Sequence, residues 1–306
     1  MIRLIARRLL LSVLTVACIY TLTFLMVVAV PGNPFQQGQH RLAPETELAL
    51  RARYHMDNNW LYFWDFLRGA VRLDFGPTFL YNDWTCNQIL ASALPVSILL
   101  GLLAIALSVM VGVPLGVVSA SRRGGWTEKA ALAAALLGVS LPSFVTGSAL
   151  LILFGVYAKI APVGGWGTLA HLPLPVVTLA LPYTAYVARL TRAGMLDALS
   201  EDYIRTARAK GLPDRRVIWK HGLRSAMLPV VSYLGPAAAQ AMTGSFVVEK
   251  VFGVPGMGQH FVNAALNRDP GLIMGTVLVF AALLVGLNLI VDVLYAWLDP
   301  RIREAV

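Results

Sequence analysis

The stretch Glu201–Pro229, EDYIRTARAKGLPDRRVIWKHGLRSAMLP, decides how the rest of the chain is read. It is basic and polar, yet long uncharged runs precede and follow it. Wound as a helix, Glu201–Lys210 sets Tyr203, Ala207 and Gly211 on one stripe with Ile204 and Arg208 beside it, a small and mildly apolar surface. Gly211 is a helix-ending glycine, and Leu212-Pro213 forbids continuation. Asp214 is an N-cap for a second helix through Val217, Ile218 and His221. The spacing predicts a short helix, a corner and a second helix just outside a membrane. Taken alone, such a corner suits a docking partner, and it equally suits a solvated or headgroup-bound loop.

The surroundings supply the membrane. Of 306 residues, 57% are hydrophobic and only 13% charged, with a mean hydropathy of +0.67. Soluble domains carry roughly 25% charged residues, so the composition is that of an integral membrane protein. The net charge of +9 could suggest nucleic acid, but no basic and aromatic residues interleave as base stacking would need. Cys18 lies in an apolar run and Cys86 in a polar loop, so the two are not expected to pair. Cys86 is expected to meet solvent and Cys18 to be shielded.

Six neutral windows can each hold about 20 residues, the length needed to cross a bilayer. They are Leu9–Val30, Leu94–Ala120, Ala130–Ala158, Leu174–Ala188 (extending to Ala193, with Arg189 and Arg192 at the interface), Ser225–Val248 and Pro270–Val291. The first exceeds a signal-peptide core of about 7 to 15 residues and reads as a retained helix. Prolines 95, 114, 142, 175, 182 and 236 predict kinks within them. With a cytoplasmic N-terminus, 17 of the 25 Lys and Arg fall inside and the other eight are matched by eight outer acids. Both termini and the 201–229 loop are therefore expected in the cytoplasm. The order becomes residues 1–8 inside, 9–30 as the first span, 31–93 as an external loop, and 94–306 as a five-helix core. In the external loop Glu45–Tyr54 reads as a short helix, and Trp60, Phe63, Trp64, Leu67 and Val71 recur at helical spacing on a second. That face suits the membrane interface, and the loop also suits an external docking partner.

Several short motifs occur in order along the chain: PGNPF after the first span, LDFGPTF (Leu73–Phe79), LPVS (Leu94–Ser97), SLPSF (Ser140–Phe144), ARLTRAGML (Ala188–Leu196), RTARAKGL, VFGVPGMGQ (Val251–Gln259) and DVLYAWLDPRIR (Asp292–Arg303). Together they resemble the B-type subunits of oligopeptide permeases, within the ABC importer permeases, across essentially the whole chain. The 201–229 stretch resembles that family's EAA loop. It departs from the general pattern, with Arg205 and Thr206 in the first two positions and a longer spacer after Gly211, and these departures resemble the peptide-permease branch.

The resemblance implies an all-α protein of six transmembrane helices with the type I importer permease fold. It implies a coupling loop of Tyr203, Arg205, Thr206, Ala207, Ala209, Gly211 and Leu212 against an ATPase subunit. It implies an external stretch, Gly253, Pro255, Gly256, Met257 and Gly258, beneath a binding protein; from sequence alone that stretch is equally a tight turn. Partners implied are a second permease, two ABC ATPases that bind the ATP and Mg, an external peptide-binding protein, a peptide and lipid. Dipeptides, nickel complexes or modified peptides are alternative cargoes within the same family.

No chemistry of the chain's own stands out. A Walker A sequence is absent, the five histidines (40, 55, 171, 221 and 260) are scattered, and no Ser, His and acid share a face at one depth. The expectation is a transport subunit that is not an enzyme and binds no cofactor or metal. Asn288 and Asp292 share a face of the last helix with Tyr295 and Asp299. They suit a polar contact with a neighbouring helix or a lining of the route. A secondary transporter would want midplane charges coupled to ions, which the windows do not supply.

Overall fold

A backbone that crosses lipid must satisfy its own hydrogen bonds, and the chain does so with helices throughout. The structure, a computed structural model, describes residues 2–29, 45, 52, 58–81, 83–121, 125–126, 138 and 140–298. The helix expected at Glu45–Tyr54 and the side chain of Asp292 lie outside the described residues. Among the described residues no strand forms; Pro77 and Thr85 make an isolated bridge.

In chain order the helices are α1 (Ile2–Ala29), α2 (Asn59–Val71), α3 (Cys86–Ser121), α4 (Ser143–Leu150, running on as a π-helical turn Leu151–Tyr157), α5 (Pro173–Ser200), α6 (Asp202–Ala209), α7 (Leu223–Thr243), α8 (Phe246–Phe252), α9 (Met257–Leu266) and α10 (Pro270–Leu298). Among the described residues three stretches are long and apolar enough to span a membrane: Ala6–Ala29, Cys86–Ser121 and Pro270–Val291. The fourth and fifth windows coincide with α5, of 28 residues, and α7, of 21, both long but less apolar. The third window differs. Among its described residues the apolar helix is Ser143–Tyr157, with Pro142 as its cap; most of the window before it lies outside the described residues. Pro182 and Pro236 do lie inside helices, and so does Pro229.

Packing divides the chain into two units. One joins residues 1–97 to residues 255–306, and the other is the contiguous run 98–254. In the first, α1 packs along α10, and Tyr20, Phe24, Tyr62, Phe66, Phe75, Leu90 and Leu272 share a buried cluster. Asn58 caps α2 by accepting from the Trp60 and Leu61 amides. The Tyr20 hydroxyl donates to the Phe63 carbonyl across 2.6 Å, which holds α2 against α1. Of the apolar positions expected on one exposed face of α2, Phe63 and Leu67 pack inward, while Trp60, Trp64 and Val71 remain exposed.

In the second unit α5 packs along α7. Glycines let the backbones approach. A β-carbon at Gly116 would sit 2.6 Å from the Ala188 carbonyl oxygen, and one at Gly194 would sit 2.7 Å from that of Ala226. Val113, Val117, Val187, Met195, Ala226 and Val230 fill the space between.

Candidate functional site

The corner expected from Gly211 is built as the sequence requires. α6 ends at Ala209, and the amides of Gly211 and Leu212 donate back to the carbonyls of Arg208 and Ala207, at 2.9 and 3.3 Å. Gly211 has φ +76°, the left-handed region that glycine enters without strain. Asp214 opens the restart, which passes through a π-helical turn, Val217–Gly222, into α7. Asp214 also accepts from Arg208 at 3.3 Å and so ties the two arms of the corner.

The small residues of α6 do not by themselves make up its exposed face. Ala207 is 7% exposed and packs with Ile204, Val217, Leu199 and Leu212 inside the corner. The reason is local: the restart folds back, and a methyl is all that fits between α6 and Val217. The outward stripe is Asp202, Arg205, Thr206 and Ala209, one residue per turn or nearly so, with Tyr203 partly exposed at its edge. The Tyr203 hydroxyl lies 3.0 Å from the Ser225 hydroxyl, which fixes α6 to the start of α7. Arg205 pairs with Asp202 at 3.3 Å, an exposed pair worth little by itself. Gly211 is also exposed, and a β-carbon there would meet nothing.

The glycine-rich stretch splits in the same way. Gly253 is exposed, has φ +63° and closes α8; Pro255 is exposed. Gly256, Met257 and Gly258 are buried within the chain. Met257 is 0% exposed, and its amide donates to the Ser97 hydroxyl at 2.9 Å. Asn288 is half-buried, and its Oδ1 accepts no hydrogen bond from the described residues. Cys86 was expected in solvent and is instead 0% exposed, its thiol 3.1 Å from the Pro77 carbonyl; Cys18 is the exposed one. The physical cause is that Cys86 opens α3 under the 73–81 segment and does not belong to a free loop.

One residue that organises this region was legible only as a charge. Asp269 is 1% exposed and accepts from the Phe79 and Leu80 amides at 2.8 and 3.1 Å, from the Thr78 hydroxyl, and from the Leu272 amide at 3.1 Å. Burial pushes its carboxyl above the usual carboxylate range, against these donors, which favour the charged form. Asp-Pro ahead of an apolar run marks an N-cap with proline in the first turn, a signal the sequence carried. Its grip on residues 78–80 had no local signature.

The corner is thus a basic helical turn set between two long helices, α5 and α7. The chain belongs to the family of binding-protein-dependent transport system inner membrane components, whose profile matches residues 112–304. It is 42% identical over 306 residues to the oligopeptide transport system permease protein OppB of Salmonella typhimurium, covering 99% of this chain and all of that one. It is 40% identical to the dipeptide transport system permease protein DppB of Bacillus subtilis, covering 94% of each. A solved structure described as an amino acid ABC transporter with histidines is similar in fold, with a TM-score of 0.51 and 20% identity over 70% of this chain and 94% of that one.

Proposed function

We propose that this chain is one of two permease subunits of an ATP-driven peptide importer in the bacterial inner membrane. The observation that carries the reading is identity of 42% to an oligopeptide permease over the whole of both chains. In this reading six helices span the membrane, both termini are cytoplasmic, and a second permease completes the route. The outward stripe of α6, Arg205, Thr206 and Ala209, rests on one of two ATPase subunits, which hold the ATP and Mg. Closure of those subunits moves the corner, and the proline-bearing α5 and α7 carry the movement into the route. Gly253 and Pro255 lie on the opposite side, toward a peptide-binding protein. The transport route itself requires no enzymatic group from this chain.

Reconstitution tests it. Liposomes holding this chain with its second permease and ATPases should take up an oligopeptide when ATP is inside the ATPase compartment and the loaded binding protein is on the other side. This chain alone should neither hydrolyse ATP nor move peptide. Peptide uptake by this chain alone, driven by an ion gradient, would make it a secondary transporter. The 40% identity to a dipeptide permease favours a second range of cargo. Competition between a dipeptide and a pentapeptide for uptake decides between them.

A further inference from the structure

Two guanidiniums lie on α5 at a level where its neighbour is apolar. Gly194 of α5 abuts Ala226 of α7, and the Tyr186 ring lies 5.6 Å from the Tyr233 ring, so the helices run antiparallel and Arg189 falls level with the stretch Leu228 to Val231. Arg224, at the basic beginning of α7, stands about seven residues further along, roughly 10 Å at the helical rise. Arg189 therefore lies beside apolar residues of α7, one to two turns from the basic end where lipid phosphates gather.

An open depression of about 410 Å³ lies there on the surface of α5, lined by Tyr186, Arg189, Leu190, Arg192 and Ala193, all of that one helix. No carboxylate lines it, and Arg189, though exposed on the helix, makes no hydrogen bond or ion pair with the described residues. An arginine facing hydrocarbon is costly, and one this near the basic end extends its long side chain toward water or an anion. Its planar fork of donors matches a carboxylate, and the apolar Leu190 and Ala193 leave the walls without side-chain selectivity.

We infer that Tyr186, Arg189 and Arg192 form a carboxylate site on the translocation route, taking the C-terminal carboxylate of a transported peptide. The inference rests on the peptide-importer reading above. Every unmodified linear peptide carries that group whatever its sequence, so the site holds cargo without reading it. An open depression with a solvated cation also binds weakly enough to release.

The test uses the complete importer, both permeases with ATPases and binding protein, in proteoliposomes. A tripeptide with a free C-terminus and the same tripeptide as its amide are each loaded to saturation on the binding protein, and ATP-driven uptake is measured. Because every permease variant meets the same loaded binding protein, the acid-to-amide ratio compared between variants cancels the binding protein's own preference. Arg189→Gln and Arg192→Gln should each lower that ratio roughly tenfold, the worth of one charge-assisted hydrogen bond, and Arg189→Lys should keep part of it. Equal loss for acid and amide would assign the arginines to the fold and overturn the site. So would a ratio that neither arginine variant changes while uptake of acid and amide alike falls when anionic phospholipid is left out of the vesicles, since the fork would then hold a lipid phosphate. If Arg189→Gln does not co-purify with its partners, Arg189→Lys and Arg192→Gln give the same ratio, and an unchanged ratio in both overturns the proposal. Absence of any ATP-driven peptide uptake by the wild type is a different failure, that of the importer reading.

Discussion

The Phe79 amide donates to the Asp269 carboxylate across 2.8 Å, joining positions 190 residues apart. Leu80 and Thr78 add to the same carboxylate, which also caps α10 through Leu272. Asp269→Ala strands several buried donors and should cost about 3 kcal/mol or more, whereas Asp269→Asn keeps an acceptor and should cost less. Thermal unfolding in detergent measures both, with the buried Cys86 thiol as reporter because it meets a maleimide dye only once this region opens. Equal midpoints for Asp269→Ala and wild type would contradict the clamp.

The corner at α6 separates folding from coupling. Ala207→Asp buries a charge against Ile204 and Val217 and should lower the stability of the chain itself by about 3 kcal/mol. Arg205→Glu and Ala209→Trp lie on the outward stripe. They should leave the unfolding midpoint within a degree or two while uncoupling ATP hydrolysis from uptake in the reconstituted importer. Full coupling in both outward variants would mean that the ATPase meets another surface.

Gly211→Val forces a β-branched residue to φ +76° and should cost at least ~1 kcal/mol, though nothing crowds the site. Gly116→Leu carries no such strain but drives a side chain into the Ala188 carbonyl and Thr191, so α3 and α5 must part. The larger loss should therefore fall on Gly116→Leu. Comparing the two midpoints checks which cost dominates, chain conformation or helix approach.

An impermeant maleimide on intact spheroplasts should leave Cys86 unlabelled, since packing removes it from solvent, and Cys18 should escape behind lipid. Both should label after denaturation. Prompt labelling of Cys86 in the folded protein would mean that the 73–81 segment does not cover it.

The sequence disclosed most where one residue's own stereochemistry or a long run's composition decides. Gly211-Leu212-Pro213 could only be a corner, and Pro270–Val291 could only be a long apolar helix. It misled where a small residue can equally serve an outer groove or an inner contact. Ala207 was read toward an outer groove and is buried, and Gly256 to Gly258, open between a tight turn and an outer surface, are buried too, since which neighbour covers a methyl or a glycine is decided by chain that packs from elsewhere. Cys86 was misassigned for the same reason: its polar neighbours in sequence are not its neighbours in space.

The two packing units differ in when they can be completed. Residues 98–254 are contiguous, so that unit has all its partners as soon as residue 254 has left the ribosome. The other unit needs residues from both sides of that run. Until Asp269 is synthesised, the amides of Phe79 and Leu80 lack their acceptor, so the 73–81 segment over Cys86 lacks its clamp. The earliest-made segment is thus among the last to settle, and the nascent chain must carry residues 58–97 past the insertion machinery in a form that waits. A protease or thiol reagent acting during synthesis would find that segment open long after its own translation has finished.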